Sequence, residues 1–282
     1  AKGFSVDYGT VNKNPSTPTD WGTYLATVPA KAIWAQNNGI SVFMIGNEHD
    51  SYGATINENL ISISRTSNVV TVTTATSHNL KPGDNVELSN NTILIYFHPV
   101  LATPTTTTFT VTSVGSNGSE DAGIYRYSPG VVIRLLKELA TSLKTTHGIT
   151  IPLSYSMIQG NQTGSTQSVD WWIIAGRGDI DFLDQNIYGT GSTQDLRLTD
   201  FNGSVTRGYN AFGANYRVTE WNIFHDNTGV PSITADAELY LMKRREILES
   251  KAGLVHFIFC YKHAGDLLIL KKPSTTNQAG TW

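Results

Sequence analysis

Two glutamates stand directly after short apolar runs that are typical of buried strands. Glu48 follows the run Phe43-Met-Ile-Gly-Asn47, and Glu220 follows the run Tyr216-Arg-Val-Thr219. Parallel strands present their carboxyl ends at one edge, so we expect the two side chains to converge there. Two carboxyl groups about 5 Å apart can cleave a glycosidic bond with retention of configuration, one as acid/base and the other as nucleophile. The pattern therefore predicts a site with this chemistry.

The motifs around the two glutamates resemble those of a known enzyme clan. Gly46-Asn47-Glu48 and Thr219-Glu220-Trp221 are similar to the fourth- and seventh-strand motifs of clan A of the retaining glycoside hydrolases. The resemblance implies a (β/α)8 barrel in which Glu48 is the acid/base and Glu220 is the nucleophile. It also implies that Asn47 hydrogen-bonds the sugar 2-hydroxyl and that Tyr188 orients the nucleophile.

Two more side chains are expected to contact the carbohydrate. Trp221 adjoins Glu220, and its ring can pack against a sugar, so we expect it to line the site. His263 follows the apolar run Leu254–Tyr261, where many clan members carry a tryptophan instead. The sequence departs from the clan at this position, and His263 remains a candidate for substrate contact.

A metal site is the less favoured interpretation of the polar residues that follow the glutamates. Adjacent residues on one loop rarely point to the same ion, so substrate contacts or simple loop polarity account for them better. We expect no metal and no cofactor. The residues concerned are His49, Asp50, His225 and Asp226.

Alternation of strand-like and helical patterns predicts the α/β fold class. Helices are expected from Thr17 to Gly39, from Ser128 to Gly148, over Val169–Ala175, over Leu196–Asn210 and over Thr234–Ser250. Nearly continuous apolar strands between helices indicate a parallel sheet covered by helices. Together with the clan resemblance, this predicts a TIM-type (β/α) barrel formed by residues 1–59 and 116–282.

The predicted barrel has too few strands at its start. Only Gly3–Tyr8 precedes the acid/base strand, where the clan has three strands, so two β/α units are apparently lacking in this chain. Either a preceding N-terminal segment or a virion partner is expected to complete the barrel, or the barrel is incomplete and closed in another way.

Residues 60–115 interrupt the α/β pattern. Short β-type runs alternate there with turn residues such as Lys81-Pro-Gly-Asp84, which predicts a small all-β insertion after the acid/base strand. Its segment Val69–Leu88 resembles small β modules of phage tail and other virion proteins. The insertion could wall one end of a cleft, bind glycan or dock to a neighbouring protein, and a tolerated loop expansion without a function of its own is an equal alternative.

Composition narrows the class of partner and of compartment. The 282 residues carry 20 basic and 23 acidic side chains, a net charge of −3, without blocks of like charge, which disfavours nucleic acid. No apolar run is long enough to suggest a membrane span. The single cysteine, Cys260, excludes an internal disulfide framework. The low charged fraction favours an extracellular or virion-associated protein acting on a carbohydrate.

Two other functions compete with the retaining hydrolase. One is a non-catalytic glycan-binding or structural virion module that keeps a barrel scaffold, favoured by the missing units and the phage-like insertion. The other is a hydrolase of another kind, such as an esterase, which is disfavoured because the sequence has no GxSxG nucleophile elbow.

Overall fold

The computed structural model describes residues 7–9, 17–49, 57–158, 168–187, 194–221 and 259–260. The chain divides into two compact units. The first comprises Ala1–Ser154 and Ile174–Ile180, and the second comprises Tyr155–Ile173 and Asp181–Trp282.

The first unit begins with a parallel pair of strands and one long helix. β1 (Asp7–Gly9) pairs in parallel with β2 (Val42–Asn47), and α1 (Pro18–Asn37) lies between them in the chain. α1 begins where the Thr17 hydroxyl accepts a hydrogen bond from the backbone N–H of Asp20 at 3.0 Å. It ends before Gly39, whose φ of 71° suits glycine. The helix predicted from Thr17 to Gly39 is confirmed.

After β2, the first unit forms a small module built from antiparallel strands. Six of its strands pair in the order β3-β4-β7-β6-β5-β9, and β9 pairs again with β3, which closes a barrel, while β8 pairs with β3. Closure leaves none of the six strands with a free edge. The strands are β3 (Asn57–Thr66), β4 (Val69–Thr74), β5 (Asn85–Ser89), β6 (Tyr96–Thr105), β7 (Thr108–Thr112), β8 (Gly118–Glu120) and β9 (Ile124–Tyr127).

Alternating side chains fill the inside of the barrel, as the period of two in a strand requires. The interior is apolar and aromatic, with Phe109 packing against both His78 and Tyr125. The buried residues from four of the strands are Val70, Val72, Val86, Leu88, Phe109, Val111, Tyr125 and Tyr127.

Tight turns join the antiparallel strands. Ser67 and Asn68 connect β3 to β4 with φ values of 50° and 67°, the positive values that a two-residue type I′ turn needs. Before β5, the N–H of Asp84 donates to the carbonyl of Lys81 at 3.0 Å, and Gly83 has a φ of 91°. That geometry matches a type II turn with proline and glycine in its centre.

An arginine ties this module to the next helix, α2 (Pro129–Thr145). The Arg134 guanidinium donates to both carboxylate oxygens of Asp84, at 2.9 and 2.7 Å, and to the Asn79 carbonyl at 2.7 Å. Its Nη1 also donates to Glu138 at 3.0 Å, and Glu138 accepts a further bond from Lys81 at 2.8 Å. α2 confirms the second predicted helix.

The second unit carries parallel strands with helices between them in the chain. Its strands are neighbours in the order β10-β11-β12-β13, and β12 pairs in parallel with both β11 and β13. A short 3-10 helix, Gly213–Asn215, precedes β12. The elements are β10 (Leu153–Ile158) from Tyr155 onward, α3 (Ser168–Ala175) as far as Ile173, β11 (Phe182–Ile187), α4 (Gln194–Phe212), β12 (Tyr216–Trp221) and β13 (Phe259–Cys260).

α3 and α4 confirm the predictions over Val169–Ala175 and Leu196–Asn210. The helix predicted over Thr234–Ser250 lies outside the described residues.

The predicted TIM-type (β/α) barrel is wrong. Within the described residues the one closed barrel consists of six antiparallel strands, and only four α-helices occur. A (β/α) barrel needs a crossover helix after each parallel strand, whereas the chain after β2 makes successive antiparallel strands joined by turns. The notion that the first two β/α units of such a barrel are lacking falls with it.

Removal of the Arg134 guanidinium should destabilise the first unit. Arg134→Met leaves the nearly buried Asp84 carboxylate without its two charged hydrogen bonds, so we expect a loss on the order of 2 kcal/mol in the free energy of unfolding. Lys81→Met, which removes an exposed ion pair to Glu138, should cost less than about 1 kcal/mol. Urea denaturation followed by circular dichroism measures both, and equal losses in the two variants would contradict the assignment.

Candidate functional site

Glu48 lies directly after β2, at the carboxyl end of a strand that pairs in parallel with β1. Its backbone φ is 57°, in the left-handed region that glutamate rarely adopts. Such a conformation costs free energy and persists where surrounding contacts hold it, often at functional sites. Glu48 is partly exposed, as is Asn47 before it. The segment therefore presents both predicted site residues at a strained strand end.

Two aromatic residues of α1 and the ring of His49 form a cluster that holds the backbone on both sides of Glu48. The buried His49 ring packs edge-on against Trp21, with centroids 5.4 Å apart, and against Tyr24, at 5.0 Å. The Tyr24 hydroxyl also donates a hydrogen bond to the backbone carbonyl of Ile45. We call Trp21, Tyr24 and His49 the aromatic cluster. Because the aromatic cluster contacts residues 45 and 49, it fixes the backbone position of Glu48, which lies between them.

Burial sets the charge of His49. Desolvation in the aromatic cluster lowers the pKa of His49 to about 4 from its usual value of 6.5. The imidazole is therefore neutral at pH 7. A neutral ring adds no positive charge beside Glu48 and so does not favour the ionised form of that carboxyl group.

Glu220 occupies the last-but-one position of β12 in the second unit. The register between β11 and β12 shifts by one residue, so that Gln185 is opposite Val218 while Asn186 is opposite Glu220. Thr219 is the extra residue of this β-bulge. Bulges of this kind occur often beside active sites, where they change the aim of the following residues. On its other side, Glu220 is in register with Phe259 of β13.

Three consecutive polar residues of β11 are fully buried, and each has a polar partner. Ser156 of β10 donates to the side-chain oxygen of Asn186 at 2.9 Å, and the Tyr216 hydroxyl donates to Gln185 at 2.5 Å. Burial, followed by the charge of Asp184, raises the pKa of the Tyr216 hydroxyl, which therefore stays protonated as a donor.

Asp184 forms a buried ion pair with Arg217 on the neighbouring strand. The guanidinium donates two hydrogen bonds to the carboxylate, at 2.5 and 2.7 Å, and lies over the Phe182 ring at 4.5 Å from its centroid. A buried pair of this type must be hydrogen-bonded to offset the loss of hydration. The polar stretch Asp184-Gln185-Asn186 inside an otherwise apolar strand is the sequence signal for this network, and none of the predicted site residues belongs to it.

The structure describes four of the six predicted site residues, two in each unit. Asn47 and Glu48 belong to the first unit, at the end of β2. Glu220 and Trp221 belong to the second unit, where Trp221 is in register with Ile187 and Cys260. Tyr188 and His263 lie outside the described residues.

The described residues contain no group of three or more histidine, cysteine, aspartate or glutamate side chains placed to hold a metal ion. Of the histidines and aspartates considered for a metal site, only His49 falls within the described ranges. Among the helices of those ranges, none combines the length and the apolar character that a membrane span requires.

Comparison with known proteins gives little overlap. No protein-family model matches the sequence, and no curated protein matches it. A beta-glucosidase from Exiguobacterium marinum is similar in structure at 9% identity, over 48% of this chain and 48% of that chain, with a TM-score of 0.30. A ferredoxin-NADP+ reductase from Plasmodium falciparum with 2'P-AMP matches at 10% identity over 75% of this chain and 98% of that chain, with a TM-score of 0.17. The chain thus spans about half the length of the beta-glucosidase.

His49 should make the stability of the first unit depend on pH. The folded state holds the His49 pKa near 4, whereas the unfolded chain has about 6.5, so protons bind the unfolded state more readily. Stability is complete above pH 6.5 and declines as the pH falls towards 4. Between pH 7 and pH 4 the wild type should lose about 3 kcal/mol more than His49→Leu does.

Urea denaturation at several pH values measures the difference between the two proteins. The exposed histidine at position 147 provides a control for the replacement itself, because His147→Leu removes no packed ring and should leave the free energy of unfolding at pH 7 within about 0.5 kcal/mol of the wild type. If the free energy of unfolding changed with pH equally in the wild type and in His49→Leu, the assignment of a buried, neutral imidazole would be wrong.

The Asp184–Arg217 pair should show strong non-additivity. Arg217→Met alone takes both hydrogen bonds from a buried carboxylate and should cost about 3 kcal/mol or more. The double variant Asp184→Leu/Arg217→Met should recover most of that loss, because no charge is left buried. Arg207→Met, which breaks an exposed pair with Asp170, is the control at under about 1 kcal/mol. A double-mutant cycle measured by denaturation tests this prediction. Losses in the free energy of unfolding that simply add in the double variant would contradict the pairing.

Proposed function

We propose that this protein is a retaining glycoside hydrolase that cleaves a polysaccharide or oligosaccharide by double displacement. Glu48 is the acid/base and Glu220 is the nucleophile. The proposal does not depend on a TIM-type barrel, because the chemistry requires only the two carboxyl groups and a sugar between them.

The observation that carries the proposal is the backbone setting of the two glutamates. Glu48 directly follows a strand in parallel pairing and has a left-handed backbone, and Glu220 follows a β-bulge next to the end of another parallel-paired strand. Carboxyl ends of parallel strands are the usual place for catalytic groups in α/β proteins. Both features that depart from regular geometry coincide with the residues that the sequence motifs single out.

In the first step, ionised Glu220 attacks the anomeric carbon while protonated Glu48 gives its proton to the departing oxygen. A covalent glycosyl ester with Glu220 results. In the second step, Glu48, now ionised, takes a proton from water, and the hydroxyl oxygen attacks the anomeric carbon and releases Glu220. The second step thus restores ionised Glu220 and protonated Glu48, the charge states in which the cycle began.

The mechanism requires that Glu48 be protonated at the start of each cycle. A nearby cation would lower the pKa of this carboxyl group and work against that requirement. The neutral state of His49 fits it, since the ring adjacent to Glu48 carries no charge at pH 7. The aromatic cluster thus supports the acid role through its contacts as well as through its lack of charge.

Substrate contacts follow from the same proposal. Asn47 hydrogen-bonds the sugar 2-hydroxyl, Tyr188 orients the nucleophile, and Trp221 and His263 contact the sugar rings. The alternative function is a glycan-binding module that binds the same polymer without cleaving it.

Glutamine substitution at either glutamate should abolish turnover without loss of the fold. Glu48→Gln should lower the rate of polysaccharide hydrolysis by about 10²- to 10⁴-fold, the range for removal of a general acid/base, and Glu220→Gln at least as much. Release of reducing sugar from a panel of plant, algal and bacterial polysaccharides measures the rates. Glu138→Gln, in an exposed glutamate of α2, is the matched control and should retain wild-type activity.

Chemical rescue assigns the two roles separately. With an activated aryl glycoside and azide, Glu220→Ala should form a glycosyl azide of inverted configuration, whereas Glu48→Ala should form one of retained configuration. Wild-type rates in both glutamine variants would end the proposal. Binding of a polysaccharide without product release by the wild type would identify the non-catalytic alternative.

A further inference from the structure

The outer surface of β6 is apolar at the positions that face away from the barrel interior. Phe97 is 56% exposed and Leu101 is 52% exposed, with exposed Pro99 between them. Val100 from the same strand points inward and is buried. Large exposed apolar side chains grouped on one strand of a small barrel mark a binding surface.

Strand register places polar side chains beside this apolar stripe. Phe97 is opposite Glu87 of β5, and Glu87 is opposite Arg126 of β9. Arg126 is in turn opposite Asn57 of β3. Residues directly opposite each other share one face of an antiparallel sheet. With about 4.8 Å between neighbouring strands, the row from Phe97 to Asn57 spans roughly 14 Å of the outer barrel surface.

The charged members of the row keep unused hydrogen-bonding capacity. Arg126 Nη1 and Glu87 Oε2 are 3.6 Å apart, which is an ion pair but too long for a direct hydrogen bond, and both side chains are partly exposed. The row therefore offers donors from a guanidinium, acceptors from a carboxylate, and both from an amide, next to an aromatic ring.

We infer that this outer face, formed by Phe97, Glu87, Arg126 and Asn57, binds a neutral polysaccharide chain. A pyranose ring has one face of C–H groups, which pack on the electron-rich face of an aromatic ring, and a rim of hydroxyls, which both donate and accept hydrogen bonds. The stripe on β6 receives the C–H face, and the polar row receives the hydroxyls. The inference does not rest on the proposed hydrolase activity.

Other macromolecules fit this face less well. A protein partner would have to bury Glu87 and Arg126, and the centres of protein interfaces are depleted of charged residues other than arginine. Nucleic acid needs clustered cations, whereas the single arginine here is paired with a carboxylate in a chain of net charge −3. Neutral sugar hydroxyls replace water around the pair without an unbalanced charge.

Affinity electrophoresis of the full chain tests the inference. Native gels cast with xylan, barley β-glucan or galactomannan should retard the wild type in at least one case. Phe97→Ala should weaken that binding by about ten-fold, since truncation removes an aromatic anchor. Ile174→Ala is the matched control, because Ile174 is 78% exposed and lies on α3, which is not part of the barrel, and it should migrate like the wild type. Both substitutions are at exposed positions and should leave the fold unchanged by circular dichroism.

Absence of retardation of the wild type in all three gels would overturn the inference, as would equal retardation of Phe97→Ala and the wild type. A shift in oligomeric state of Phe97→Ala by sedimentation, without any effect of polysaccharide, would reassign the face to protein contact. Hydrolysis of an aryl glycoside separates this result from the proposed function. Phe97→Ala should keep the hydrolysis rate of the wild type, and Glu48→Gln should keep its gel retardation.

Discussion

Pairing of β3 with both β4 and β9 is the constraint on which the described part of the first unit depends. It closes six strands into a barrel, so that each of the six has a partner on both edges. The interior can then be filled by alternating residues alone, and the outer surface is left for contacts. Because the barrel is complete in itself, it fits between β2 and α2 without contributing a strand to the parallel pairing of β1 with β2. Arg134 then fixes its Lys81–Asp84 turn to α2.

The same unit holds Glu48 by a second, smaller set of contacts. The aromatic cluster anchors the backbone before and after the glutamate, and this anchoring offsets the cost of the left-handed φ. The cluster is dry enough to keep His49 uncharged. Position and electrostatic environment therefore have one origin, the burial of a histidine between two aromatic rings of α1.

In the second unit, charge and hydrogen bonding replace apolar packing along β11. Asp184, Gln185 and Asn186 point alternately to the two faces of the sheet, and all three are buried with polar partners. Buried polar networks favour one arrangement over its competitors, because each group that loses its partner carries a desolvation cost. The Arg217–Asp184 pair and the Tyr216–Gln185 hydrogen bond therefore join β11 to β12 directly before the bulge, after which Glu220 is opposite Asn186.

The sequence alone determined the local elements. Capping and punctuation around Thr17, Pro18 and Gly39 specified α1, the apolar spacing from Val132 to Leu143 specified α2, and the turn residues of Lys81–Asp84 marked the β module. Each of these signals acts within a few residues. Tertiary structure decided the rest. The apolar residues from Ile93 to Ile95 precede β6, which begins at Tyr96, because the backbone N–H groups of Thr92 and Leu94 donate to the side chains of Glu120 and Asn91. The same holds for barrel closure, the β-bulge and the burial of His49. Each depends on which distant strand or helix packs alongside, and the spacing of residues along the chain does not specify that partner.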